Sequence, residues 1–121
     1  MSIFAHENIL LSLYNPIFYI TMEIKIQITE TEANAQFIGR LDTAASQQAA
    51  VDMEPLMANA DKTIVLDCSG LEFISSSGLR LFLSLRKQTI AKGGKVVITG
   101  MTPEVKQVFS ITGFFSLFEF K

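Results

Sequence analysis

The chain has one cysteine, one histidine, three prolines and no tryptophan in 121 residues. The lone Cys68 excludes an internal disulfide and a cysteine-based zinc site, and the lone His6 leaves little for any other metal. Close behind an apolar run, Cys68 reads as a small buried hydrophobe that suits a reducing cytoplasm. Charge is scarce too: 18% of residues are charged against 49% hydrophobic, which excludes a disordered chain. Ten basic and twelve acidic residues give a net charge of −2 and a pI near 5.3, so no basic field invites nucleic acid, and the expected partners are proteins. The length fits one domain. The apolar run from Ile9 to Ile20 falls short of the about 20 residues a membrane span needs and is broken by Asn15-Pro16.

Residues 1–21 hold no Lys or Arg and a single acid, Glu7, whereas nearly all charge lies beyond Met22. They also lack the basic start and small-residue cleavage site of a secretory signal. The expectation is an apolar extension ahead of a native start at Met22, with one domain over 22–121. If the extension belongs to the protein, its apolar residues must pack on the domain or on a partner.

From Met22 the chain alternates: Met22, Ile24, Ile26 and Ile28 against Glu23, Lys25, Gln27 and Thr29, the signature of a half-buried strand. A turn at 30–33 and the apolar Ala35, Phe37 and Leu41 complete an antiparallel hairpin. Asp42 or Thr43 then caps an alanine-rich helix expected over 43–59, kinked or shortened by Pro55. Gly93-Gly94 stops a second helix, Lys95 to Thr99 form a strand, and Thr102-Pro103 opens a third helix to about Ser110. Gly93-Gly94 lacks the spacing of a phosphate loop. Gly113 turns the chain into a short apolar close at Leu117, Phe118 and Phe120. Alternating strands and helices imply an α/β layer structure with a mostly parallel sheet; on pattern alone, a flavodoxin-like fragment.

The run 65–88, VLDCSGLEFISSSGLRLFLSLRKQ, is where chemistry concentrates. Thr63 to Leu66 read as a strand covered on both faces and ending at Asp67. Ser69-Gly70 mark a turn, Phe73 and Ile74 return to the core, and Ser76 or Ser77 caps the following helix, where the dipole favours an anion. A nucleophile elbow is excluded, since Gly-x-Ser-x-Gly is absent and no histidine lies nearby to activate a serine. Asp42, Asp67 and Glu72 read as capping or solvated carboxylates, not as metal ligands. On the helix, Leu79, Phe82, Leu83 and Ile90 are expected to form the core stripe, with Arg86 snorkelling from it and Leu81 and Leu85 pointing away. That second apolar side packs on a neighbouring helix or docks a partner.

An apolar strand, Asp67, Phe73-Ile74, then Ser75-Ser76-Ser77-Gly78-Leu79 and an apolar helix resemble the STAS domain, specifically bacterial anti-sigma factor antagonists. The resemblance covers roughly residues 22–121 and extends to Gly39-Arg40-Leu41-Asp42 and Thr112-Gly113-Phe114. It implies a small mixed β-sheet with helices packed against it, in place of the flavodoxin-like topology. It implies no enzyme and no cofactor, but a cytoplasmic binding module that sequesters an anti-sigma factor with serine kinase activity and so frees a sigma factor. The residue two before the family's glycine is phosphorylated, here Ser76, with Ser75 and Ser77 as rivals because Ser75 stands where many members carry aspartate. A serine phosphatase would reverse the switch. Gly39, Arg40, Asp42, Ser75, Ser77, Gly78, Arg80 and Leu81 are then the expected partner contacts. The alternative the resemblance allows is a constitutive accessory subunit of a transport or other multiprotein assembly.

Overall fold

The alternation of Met22–Ile28 does produce a strand. In the computed structural model, which describes residues 22–121, this β1 pairs antiparallel with β2, Glu32–Leu41, in an unbroken register from Met22↔Gly39 to Ile28↔Ala33. The Thr29 N–H donates to the Glu32 carbonyl at 2.8 Å and closes the hairpin. The expected extension 1–21 lies outside the described residues. Then follow α1 (Thr43–Asp52), α2 (Glu54–Ala58), β3 (Thr63–Ile74), α3 (Ser76–Lys92), β4 (Lys95–Thr99), α4 (Pro103–Ile111), a 3-10 turn (Phe115–Leu117) and β5 (Glu119–Phe120).

The five strands lie side by side in chain order, with β2, β3, β4 and β5 parallel. Each crossover moves one place in the same direction, and right-handed crossovers taken in one direction put every helix on one face. Burial follows that rule. Ala33, Ala35, Phe37, Ile64, Leu66, Cys68, Val96 and Ile98 are buried beneath the helices, while Lys25, Gln27, Asn34, Gln36, Val65, Asp67 and Thr99 on the other face are half or fully exposed. Val97 is the exception, buried mid-sheet between Val65 and Glu119. β3 is therefore covered on one face only, not two. It also runs on past Asp67 and Ser69-Gly70 to Ile74, because β2 continues beside it.

The expected helix over 43–59 is two helices. It breaks at Met53, since Pro55 has no N–H to continue the ladder and fits only the first turn of a new helix. Met53 and Leu56 are nevertheless fully buried, so the break re-aims the chain without leaving the core. α3 ends where expected, at Gly93, whose φ of 86° is the left-handed cap conformation.

The core runs along phenylalanines. Phe37 of β2 meets Phe82 of α3 edge-on at 5.2 Å, Phe82 meets Phe109 of α4 at 6.0 Å, and Phe109 meets Phe118 and Phe120 at 5.7 and 6.0 Å. Each buried ring contributes about 1.5–3 kcal/mol by burial, with about 0.5–1.5 kcal/mol more per well-oriented pair. Arg86 Nε donates to the Leu117 carbonyl at 2.6 Å and ties α3 to the 3-10 turn.

Cys68 lies in this core with no exposure, and desolvation, aided by the adjacent Asp67 carboxylate, pushes its thiol up to about 12. An unfolded thiol titrates near about 8.5. Between those values the folded chain holds a proton that the unfolded chain has lost, so stability is complete below about pH 8.5 and falls as pH rises toward about 12. Urea titrations should therefore show wild type losing stability above about pH 9 more steeply than Cys68→Ala, whatever the neutral-pH offset between them.

Candidate protein-docking site

Two irregularities in the β2–β3 ladder build the site. The register slips between Gln36 and Ile38 and again between Gly39 and Arg40, each time with one extra residue on β3. At the second slip, Leu71 pairs with Gly39 and Phe73 with Arg40, leaving Glu72 bulged out. Gly39 accommodates the distortion with φ of 107°, a conformation that disfavours any residue with a Cβ. The strand's period of two is thereby reset: Glu72 and Phe73 are both exposed, and Ile74 is buried again. Phe73 accordingly does not return to the core. It faces outward with the Arg40 guanidinium 4.5 Å from its ring centroid, a cation–π contact of about 0.5–1 kcal/mol at an exposed site.

The serine turn is fastened to this end of the ladder. The Ser75 N–H donates to the Leu41 carbonyl at 2.8 Å, continuing the ladder one residue past β3. The Ser75 hydroxyl then accepts from the Gly78 N–H at 3.2 Å, so the cap is Ser75 and not Ser76 or Ser77. The pairing of Leu41 with Ile74 places Ser75 at the strand-to-helix junction, and the hydroxyl there is the one aimed back along the helix. Ser76 becomes the first helical residue, exposed, and Ser77 the second, half-buried. Gly78 is buried. A Cβ there would come within 2.8 Å of Leu41 and 2.9 Å of Ile74, so the glycine lets α3 lie close to both strands.

Beyond Gly78 the core face of α3 differs in phase from the expected one. Leu79, Phe82, Leu85 and Thr89 are buried, whereas Ile90 is 63% exposed. Leu85 therefore belongs to the core and Ile90 to the surface, because the sheet fixes the helix through Gly78 and Phe82. Leu83 is half-buried at one border, and Leu81 at the other. Arg80 is exposed one turn from Ser76, on the same face. Asp42 is the cap of α1, its Oδ1 accepting from the Ala45 N–H at 2.8 Å.

The structure thus gathers Arg40, Phe73, Ser76, Ser77, Arg80 and the rim of Leu81 at the carboxyl ends of β2 and β3. It leaves Gly78 beneath them and Asp42 engaged in capping. Sequence reasoning missed Phe73; the adjacent Glu72-Phe73, polar then apolar against the strand's alternation, was the available signal. Two concavities, of about 680 Å³ on the bare sheet face and 420 Å³ near Gly93 to Lys95, lie elsewhere. Among the described residues no His, Cys, Asp and Glu cluster fit for a metal is present, and no helix is long and apolar enough to cross a membrane. The site is a rim of aromatic, cationic and hydroxyl groups.

Fold and site together define a small α/β module with a helix amino terminus presented at the carboxyl end of its central strand. The chain belongs to the STAS domain family, whose model matches residues 9–121. It is 34% identical over 80 residues, 66% of this chain and 69% of the relative, to the protein of Bordetella bronchiseptica named as the anti-sigma factor antagonist BtrV. Among solved structures it resembles the anti-sigma factor antagonist SpoIIAA in its unphosphorylated form, with a TM-score of 0.68 and 21% identity over 82% of this chain and 88% of that one. It resembles SpoIIAA of Bacillus in the phosphorylated form at a TM-score of 0.63 and 21% identity, over 82% and 91%. Those two likenesses establish the fold.

The cap assignment has a direct test. Ser75→Ala should destabilise the domain by about 1 kcal/mol through the lost cap bond, whereas Ser77→Ala should change stability by less than half as much. Thermal or urea unfolding of the two variants reads the difference; equal losses would move the cap away from Ser75.

Proposed function

We propose that this protein is an anti-sigma factor antagonist: a non-enzymatic module that binds an anti-sigma factor with serine kinase activity and is released by phosphorylation at Ser76. The observation that carries the reading is Ser76 itself. Its hydroxyl is exposed at the first position of a 17-residue helix, next to the cap and not used as one. The name of the Bordetella relative and the solved pair of phosphorylated and unphosphorylated SpoIIAA structures support it.

The physics separates folding from binding. A phosphate would add a charge of about −1.5 to −2 at Ser76. Within the domain a helix amino terminus tolerates that charge, with a gain of about 0.3–1 kcal/mol, and Arg80 one turn along supplies a cation. In a complex the same charge must be desolvated against an apolar partner surface or repelled by an acidic one. An uncompensated interfacial charge costs about 2–5 kcal/mol, or roughly thirty-fold and more in affinity.

Ser76→Ala should therefore bind the anti-sigma factor and resist phosphorylation, while Ser76→Asp should fold normally and bind at least about thirty-fold more weakly. Incubation with the cognate kinase and ATP, followed by site mapping, distinguishes Ser76 from Ser75 and Ser77; the capping role of Ser75 makes it the poorer acceptor. Unaltered binding by Ser76→Asp, with no phosphate on any of the three, would favour a constitutive accessory subunit instead. Leu81→Glu should weaken binding by about 2 kcal/mol, as for a central interface residue, with a smaller loss of thermal stability. A collapse of stability would assign Leu81 to the core.

A further inference from the structure

The β1 edge of the sheet is long, regular and self-complementary. Among the described residues no strand pairs with its outer side and no bulge or proline interrupts it. Such an edge is a template for another strand unless a charge blocks it, and Glu23 and Lys25 are the two charges on this one.

Backbone phase decides which registers a second strand can take. Thr29 hydrogen-bonds inward to Glu32, so by alternation Glu23, Lys25 and Gln27 direct their backbone groups at β2. Met22, Ile24, Ile26 and Ile28 direct theirs outward. An antiparallel partner of identical sequence must pair these outward residues with one another. If Lys25 faces Lys25 of the second copy, like charges repel; if Ile26 faces its own equivalent, Lys25 meets only Gln27. If Ile24 faces Ile24, Glu23 of each copy faces Lys25 of the other, twice by symmetry. These fall at non-hydrogen-bonded positions, where facing side chains are closest. In that register Met22 also faces Ile26 on the helix side of the sheet, where Met22, Ile24 and Ile26 are only half-buried in one copy.

We propose that two copies of this chain associate through antiparallel β1 edges, centred on Ile24, to form a continuous ten-stranded sheet, two times the five strands of one copy, with the helices of both copies on one face. The two reciprocal Glu23–Lys25 pairs select the register, and the half-buried apolar residues supply the burial. The partner is a second copy because the charge pattern complements its own reversal.

Sedimentation velocity on the full chain over a wide concentration range tests this. Wild type should show a reversible shift to twice the monomer mass. Glu23→Lys and Lys25→Glu should each weaken that association by about tenfold or more, since each turns two attractive pairs into repulsive ones. An equimolar mixture of the two variants should recover dimers: one chain then carries lysine at both positions and the other glutamate at both, so every facing pair is again of opposite sign. The double charge swap should recover them alone. Both side chains are exposed, and recovery on mixing itself shows that the single variants are folded. A wild-type monomer throughout the range, or a Lys25→Glu variant that associates as well as wild type, would overturn the proposal.

Discussion

The parallel pairing of β2 with β3 is the constraint on which the rest of this domain depends. It holds the centre of the sheet, and its two register slips are the only places where the ladder departs from regularity among the pairings described. The slip at Gly39 turns Phe73 out beside Arg40, which β2's own alternation already exposes, and the last rung, Leu41 with Ile74, delivers Ser75 to the point where it caps α3. The distortion and the end of the same ladder therefore put the aromatic–cation pair and the exposed serine side by side. Gly78 then lets α3 close on the same two strands, so the rim is backed by packed core. Bulges are common where a sheet must re-aim side chains for a task.

The division of labour between the three serines follows from that geometry. Ser75 commits its hydroxyl to the Gly78 N–H, and the Ser76 hydroxyl makes no hydrogen bond within the described residues. A modifiable group is most useful where adding charge leaves the fold intact, and the first position of a long helix meets that condition because its N–H groups are unpaired and its dipole is positive. The hydroxyl that caps α3 and the one left free of hydrogen bonds are thus on adjacent residues. Consecutive chain order in the sheet has the complementary effect of keeping the helices to one face and leaving β1 as an edge.

Much was legible from the residues themselves. The period of two in Met22–Ile28, the Thr102-Pro103 start and the Gly93 stop are local signals that stand in the structure as read, and of the two cap candidates Asp42 and Thr43 the structure takes Asp42. The Ser-Ser-Ser-Gly-Leu turn and Gly39-Arg40-Leu41-Asp42, read together in the sequence, lie side by side in the structure, where the Ser75 N–H bonds the Leu41 carbonyl directly. These readings succeed because a cap, a turn or an alternation is decided within a few residues by backbone hydrogen bonding and conformational preference.

Phase, by contrast, comes from long-range contacts. Whether Leu85 or Ile90 faces inward depends on how α3 is rotated about its axis, and the contacts of Gly78 and Phe82 with β2 and β3 set that rotation. Whether Phe73 faces in or out depends on an extra residue in β3, which exists only because β2 runs beside it. Which serine caps depends on where the ladder ends. Local residue patterns specified the kinds of element, their order and the serine turn; the assembled fold specified which side of each element became surface. Identity and spacing define a periodicity, but its origin is set only by contacts between segments distant in the chain.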